Sequence, residues 1–300
     1  MNAALKQSTV RGEVRMNEPM SRHTVWACGG PADYFYKPAD LSDLCHYLRQ
    51  LAPTESMFWL GLGSNLLVRD GGLRSHVVAL AGAIDGIEIV ANKVLVMAGT
   101  ACAKVARACA NAKLRGATFL AGIPGTMGGA LAMNAGAFGG ETWPIVVRVQ
   151  TIDRQGRLRW RAARDFDYGY RTVRGPRQEW FVGCELQLDN ADTTSVVDAR
   201  EEIKALLAKR ASSQPTGQRS CGSVFRNPEN DFAGRLIELA GLKGMRVGGA
   251  VVSIKHANFI INDEDASAAD IEALITHVQN AVMKNSGTRL VCEVQIVGEI

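Results

Sequence analysis

The chain has no CxxC pair, no dense Lys/Arg block, no internal repeat and no apolar run near the roughly 20 residues that span a bilayer. The first absence excludes the common zinc-ribbon arrangement, and an odd count of seven cysteines argues against a disulfide framework. Reduced, mostly buried thiols in a reducing compartment are expected instead. A net charge of only +4 without a basic stripe excludes nucleic acid as the expected partner. The polar N-terminus, MNAALKQSTVRGEVRMNEP, has no apolar core segment of the kind a secretory signal needs, so a cytoplasmic protein is expected. GxGxxG and GxxxxGK[ST] are missing too, which removes Rossmann and P-loop nucleotide sites, and no GxSxG elbow marks a hydrolase serine.

What remains is an ordinary globular composition, 47% hydrophobic and 21% charged over 300 residues. Short apolar bursts at 57–63, 76–80, 86–90, 93–99, 145–153, 157–162 and 180–188 read as strands. Helical spacing runs through 103–114, 194–211, 231–242 and 267–285, with further strands at 250–254, 258–262 and 289–298. Residues 1–20 read as a loose or helical lead-in. The interleaving gives a mixed α and β class. Pro, Gly and Ser cluster in SSQPTGQRS (212–220), which sets the expected domain boundary, with a domain over 21–211 and another over 212–300.

Three glycine clusters dominate the first half: ACGGPAD (27–33), GLGSNLLVRDGG (61–72) and GIPGTMGGALAMNAGAFGG (122–140). Glycine admits positive φ and close approach of a ligand to backbone N–H groups, and successive N–H groups form anion-binding concavities. One such cluster is most simply a tight turn. Three of them, two continuous with strands or helices, point to a dinucleotide site, with Ser64 and Asn65 adding side-chain donors. In the second half, Ser223 in CGSVFRNP sits in a turn and, alone, reads as structural. Arg171 in GYRTV is a candidate carboxylate clamp or a surface residue. Glu293 in an apolar strand is either on its exposed face or retained for function. The five tryptophans, Trp59 and Trp180 among them, read as packing residues.

In combination, HTVWACGGPADYFYKP, LGLGSNLLVRDGG, LAGIPGTMGGALAMNAGAFG, GYR, RASSQP, CGSVFRNP, KHANFIIN and CEVQIVGE occur in the order seen in the UDP-N-acetylenolpyruvoylglucosamine reductases, also called UDP-N-acetylmuramate dehydrogenases. The chain resembles that family from about His23 to Glu299, in its shorter subtype without an inserted tyrosine-bearing loop. The resemblance implies an α+β fold: a two-lobed FAD-binding domain of the vanillyl-alcohol-oxidase type, with lobes at about 21–82 and 83–211, and a C-terminal α/β substrate domain. It implies non-covalent FAD, NADPH as reductant, and reduction of UDP-N-acetylglucosamine enolpyruvate to UDP-N-acetylmuramate for peptidoglycan. A monomer acting on a small UDP-sugar, without metal or membrane span, is expected.

By the same resemblance Ser223 matches the proton donor, Arg171 the arginine that binds the substrate carboxylate, and Glu293 the glutamate that holds and polarises the intermediate. Asn227 matches a substrate-binding asparagine and Arg210 a diphosphate contact. FAD contacts are implied for Gly61, Gly63, Ser64, Asn65, Gly122, Ile123, Pro124, Gly125, Thr126, Gly128 and Gly129, with Asn134 and Gly136 as secondary candidates. The chain departs from the family pattern at Val173, where serine is frequent, at Arg226, where lysine is usual, and at Cys28. An alcohol or lactone oxidase on the same fold is the competing reading. Some such enzymes attach FAD covalently through histidine, and a histidine beside the 61–72 cluster would favour that reading, but none lies there before His76. A non-enzymatic FAD-binding protein would not need Arg171, Ser223 and Glu293 together.

Overall fold

The computed structural model describes residues 10–190 and 198–300. The chain divides into two compact units, each assembled from separated segments. The first takes in residues 1–15, 34–61 and 75–208, and the second takes in 16–33, 62–74 and 209–300. Linear spans such as 21–211 and 212–300 do not express this interleaving.

The first unit has two hydrophobic cores. One forms around helix α1 (Leu41–Gln50), which buries Leu44, Cys45, Tyr47 and Leu48 against Tyr36 and Val78. Asp40 caps α1 by accepting from the amide of Asp43. The strands Met57–Leu60 and Leu73–Ala79 pair in parallel beside this core. The other core lies around α2 (Cys102–Asn111) and an antiparallel sheet. Cys102, Val105, Ala106, Cys109 and Ala110 recur at helical spacing, so one face of α2 is buried, each Val-sized side chain contributing about 1.5–3 kcal/mol. In the sheet, the central strands Val146–Asp153 and Glu179–Gln187 pair antiparallel, and Lys93–Met97 and Leu158–Ala162 flank them.

The N-terminal lead-in is corrected in part. Residues 13–19 form an edge strand of a four-stranded sheet, exposed at Glu13, Met16 and Asn17 and buried only at Glu18, which a polar sequence tolerates. Residues 1–9 lie outside the described ones, as do the first four residues of the helix expected at 194–211. The described part of that helix is α4 (Ala199–Ser213), which buries Ile203 alone. The sequence pattern does not predict α1 or the short α3 (Met127–Met133), the latter because its start is hidden in glycine.

Asp43 ties the beginning of the described chain to α1. Its carboxylate accepts from the amides of Arg11 (2.8 Å), Gly12 (2.8 Å) and Ala39 (3.0 Å) and from the Tyr36 hydroxyl (2.6 Å). Burial pushes its pKa up, but the Tyr36 hydroxyl and the backbone donors outweigh this and hold it below the usual carboxylate range. A folded-state pKa below the unfolded one gives stability that is present above about pH 4 and lost as pH falls through the folded value. Asp43→Asn turns an NH2 group toward donors, so it should lower unfolding free energy at pH 7 by about 2–3 kcal/mol. The deficit should shrink in urea melts on acidification; an equal deficit at pH 7 and below about pH 3 would contradict the assignment.

The second unit has one core, built on α5 (Ala233–Leu239) and α6 (Ala268–Ser286). A Ser267–Asp270 capping box starts α6, and Gly287, at φ 70°, ends it. A three-stranded antiparallel sheet runs Arg246–Val247, Ala250–Val252, Ile260–Asn262. The strand Gln295–Val297 pairs in parallel with Leu66–Val68, which brings the second glycine cluster to the chain's C-terminal end. No described helix is long and apolar enough to cross a membrane.

Candidate active site

The first unit contains a cavity of about 300 Å³, within the range of small-molecule sites. One wall is glycine and threonine: Gly61, Thr126, Gly128 and Gly129. Another is aromatic: Trp59, Trp180, Phe166 and Phe181. Trp59 and Trp180 stack at 5.1 Å between ring centroids, and Trp59 Nε1 has no partner among the described residues. A Cβ on Gly61 would stand 2.7 Å from Thr126 Oγ1, so any side chain there forces that wall to move. A flat, phosphate-bearing cofactor such as FAD fits this combination of bare backbone and aromatic faces.

The GIPGTMGG loop holds its shape mainly through its own amides. Gly125 N donates to Ile123 O at 2.9 Å, Met127 N to Thr100 O at 2.9 Å and Gly128 N to Ala98 O at 2.8 Å. Gly129 N reaches Thr126 Oγ1, the cap of α3, at 3.4 Å. The N–H groups of Gly125 and Gly128 are therefore taken by backbone carbonyls and that of Gly129 by the Thr126 hydroxyl. Gly122 has a different reason to be glycine: a Cβ would stand 2.4 Å from the Phe138 ring. Ile123 is buried and Pro124 exposed.

In the second unit, Gly63 adopts φ 62°, and a Cβ there would stand 1.9 Å from His23 O. The next residue, Ser64, is half-buried and has no hydrogen-bond partner among the described residues, so its N–H and hydroxyl remain available as donors. Asn65 Nδ2 donates to Glu293 O at 3.2 Å. Glu293 N in turn donates to Val224 O at 2.8 Å, beside a bridge between Phe225 and Cys292. Three segments far apart in sequence (62–66, 222–226 and 291–295) thus lie side by side. Ser223 follows Gly222, at φ 74°, and its hydroxyl has no partner among the described residues. Arg226 Nε is buried and also lacks one.

Arg171 belongs to the first unit. It sits in the two-residue turn between the paired strands Asp167–Gly169 and Thr172–Arg174, at φ 54°. A side-chain-bearing residue in the left-handed region stores strain, which is frequent at ligand-binding turns. Its Nη2 donates to Gly136 O at 3.1 Å, and its guanidinium lies 5.4 Å from the Tyr170 ring centroid. Fully buried Asn134 donates to Gly169 O at 3.1 Å and accepts from Trp143 N at 3.0 Å. Asn134 and Gly136 therefore hold the arginine turn. Val173 packs on the core and lines the cavity.

The two residues expected to bind substrate have local partners. Asn227 Oδ1 accepts from Ala233 N at 3.1 Å, at the start of α5. Arg210 Nε donates to Gln214 Oε1 at 2.9 Å, and burial draws its pKa down. Cys221 is buried, and desolvation pushes its thiol up to about 12, so it is inert as a nucleophile. His23 pairs with Glu18 at 2.8 Å, a structural contact. Among the described residues no group of three or more metal-ligating side chains converges.

Residues 214–297 match the C-terminal domain model of UDP-N-acetylenolpyruvoylglucosamine reductase, and residues 32–161 match an FAD-binding domain. The chain is 57% identical over 299 residues to the UDP-N-acetylenolpyruvoylglucosamine reductase of Methylococcus capsulatus, covering 99% of this chain and 97% of that one. The chain belongs to the UDP-N-acetylenolpyruvoylglucosamine reductase family. The enzyme of that name from Alkalilimnicola ehrlichii is 55% identical over 288 residues, 96% of each chain. The crystal structure of the reductase from Thermus caldophilus superposes with a TM-score of 0.81 at 30% identity, covering 95% of this chain and 98% of that one. These matches agree with the expected α+β architecture of an FAD-binding domain and a C-terminal domain.

The site residues that sequence reading misses are those whose partners are distant. Trp59 and Trp180 read as packing residues, yet both line the cavity. The adjacency of Trp59 to the 61–72 cluster is the one signal that could have found it. Asn258, inside KHANFIIN, carries no chemical signal of its own.

Proposed function

We propose that this chain is an FAD-dependent, NADPH-driven reductase that converts UDP-N-acetylglucosamine enolpyruvate to UDP-N-acetylmuramate, a precursor of peptidoglycan. Family membership over nearly the whole chain supports the reaction. The observation that carries the chemistry is the juxtaposition of Ser223, Glu293 and the Gly63–Asn65 loop in one unit. Gly61, Thr126, Gly128 and Gly129 would hold FAD by close backbone approach, with Gly63, Ser64 and Asn65 supplying donors. Gly122, Ile123, Pro124 and Gly125 shape the loop behind them.

When bound, FAD reduced by NADPH supplies hydride to the β-carbon of the enolpyruvyl group. The substrate then carries negative charge shared between its α-carbon and carboxylate. The Arg171 guanidinium stabilises that charge, as a fixed cation in a preorganised site does. Ser223 Oγ gives its proton to the α-carbon. A free serine is a poor acid, but orientation replaces much of the entropic cost. Glu293 holds and polarises the intermediate. Asn227, through its side-chain NH2, and Arg210 are substrate contacts in this reading. The enzyme acts as a monomer in the cytoplasm.

An anaerobic titration tests the proposal. NADPH should bleach the visible spectrum of the purified protein, and UDP-N-acetylglucosamine enolpyruvate should restore it without oxygen. Restoration by oxygen alone would favour an oxidase, and a protein that binds no flavin would overturn the cofactor assignment.

A further inference from the structure

The backbone that carries Ser223 is gripped from two sides. On one side is Asn258, which is 3% exposed. Its side-chain amide lies along Phe225: Oδ1 accepts from Phe225 N at 3.0 Å, and Nδ2 donates to Phe225 O at 2.8 Å. Its own carbonyl accepts from Val224 N at 2.9 Å. On the other side, Glu293 N donates to Val224 O at 2.8 Å and Arg226 N to Val291 O at 2.9 Å. Residues 224–226 therefore occupy the place of a middle strand, although one neighbour is largely a single side chain.

Upstream, the nearest anchor of Ser223 is buried Cys221, whose thiol donates to Leu66 O at 3.5 Å across the flexible Gly222. Gly222 has positive φ, and a Cβ there would meet nothing within 4 Å. The Ser223 hydroxyl makes no bond among the described residues. The register of Ser223 against Glu293 is thus set from its C-terminal side, through Val224 and Phe225. Asn258 is itself oriented: its N–H donates to His256 Nδ1 at 3.3 Å, which requires an unprotonated nitrogen there. A primary amide can accept from the N–H and donate to the C=O of a single residue, as the Asn258 side chain does with Phe225.

We propose that Asn258 is a positioning residue of the reaction, holding Ser223 in register with Glu293 by pairing with the Phe225 backbone. This rests on the reading of Ser223 as proton donor. An error of about 1 Å in placing a reacting group costs on the order of 100-fold in rate. The role is confined to the protonation step, because the bonds of Asn258 run to the Ser223 segment and not to the residues lining the first-unit cavity.

The test uses the flavin-loaded full-length enzyme as Asn258→Ala, Ser223→Ala and the double variant. The two half-reactions are followed separately by anaerobic stopped-flow absorbance. In Asn258→Ala, bleaching by NADPH should stay within about 2-fold of wild type, and reoxidation by UDP-N-acetylglucosamine enolpyruvate should slow by about 100-fold. In the Ser223→Ala background the same substitution should add less than about 3-fold, because the group it positions is gone. Full additivity, or an equal fall in both half-reactions, overturns the proposal. Near-normal reoxidation in Ser223→Ala overturns the proton-donor reading and the proposal with it. A normal Ser223→Ala defect with unchanged reoxidation in Asn258→Ala overturns the positioning role alone. If the alanine variant does not fold, Asn258→Asp keeps the shape and the acceptor but loses the donor to Phe225 O. It should show the same selective loss of reoxidation, and its absence counts against the proposal.

Discussion

Ser223→Ala should leave flavin bleaching by NADPH at the wild-type rate and slow reoxidation by the enolpyruvyl substrate by about 10²–10⁴-fold, the usual contribution of a positioned acid. The selectivity follows from where the residue stands. It lies in a turn of the second unit, one residue from the Val224 carbonyl to which Glu293 is bonded. It packs into no core cluster, so removal of its hydroxyl costs little folding stability. Purified holoenzyme with an unchanged visible spectrum would establish that the loss is chemical. Reoxidation within a few-fold of wild type would remove Ser223 from the mechanism.

Gly61→Val should yield a folded but colourless protein. The new Cβ would stand 2.7 Å from Thr126 Oγ1, and Thr126 both caps α3 and lines the cavity. The valine methyl groups would then project near a wall that must admit a cofactor. The strand before Gly61 and the core around α1 are untouched, so the circular dichroism spectrum should match wild type. The ratio of flavin to protein absorbance is the measurement, and a value near wild type would show that this wall does not approach the cofactor. By contrast, Gly63→Val acts on the fold directly. Its backbone is at positive φ, and a Cβ would collide with the His23 carbonyl, so lost colour there would not report on the cofactor alone.

Much of the molecule is legible in the amino-acid order. The faces of α2 and α6 follow from the spacing of their apolar residues. The strands at 57–60, 87–90, 93–97, 146–153 and 179–187 are announced by short β-branched and aromatic runs. The order of the motifs is enough to indicate the family and hence the reaction. These features are local, or depend on order alone, so no knowledge of distant partners is required.

The tertiary structure decided the rest. The amides of GIPGTMGG look free in sequence, but Ala98, Thr100 and Ile123 already occupy three of them. Gly122 looks like a ligand-approach glycine, but the Phe138 ring is what excludes a side chain. Asn227 looks like a substrate ligand, and it also holds the start of α5. Asn65 meets Glu293 across 228 residues of chain, and Asn258 meets Phe225 across 33. A hydrogen bond depends on which groups meet in space. Sequence order names the groups that chemistry requires, and only the fold shows which of them are already spent on one another.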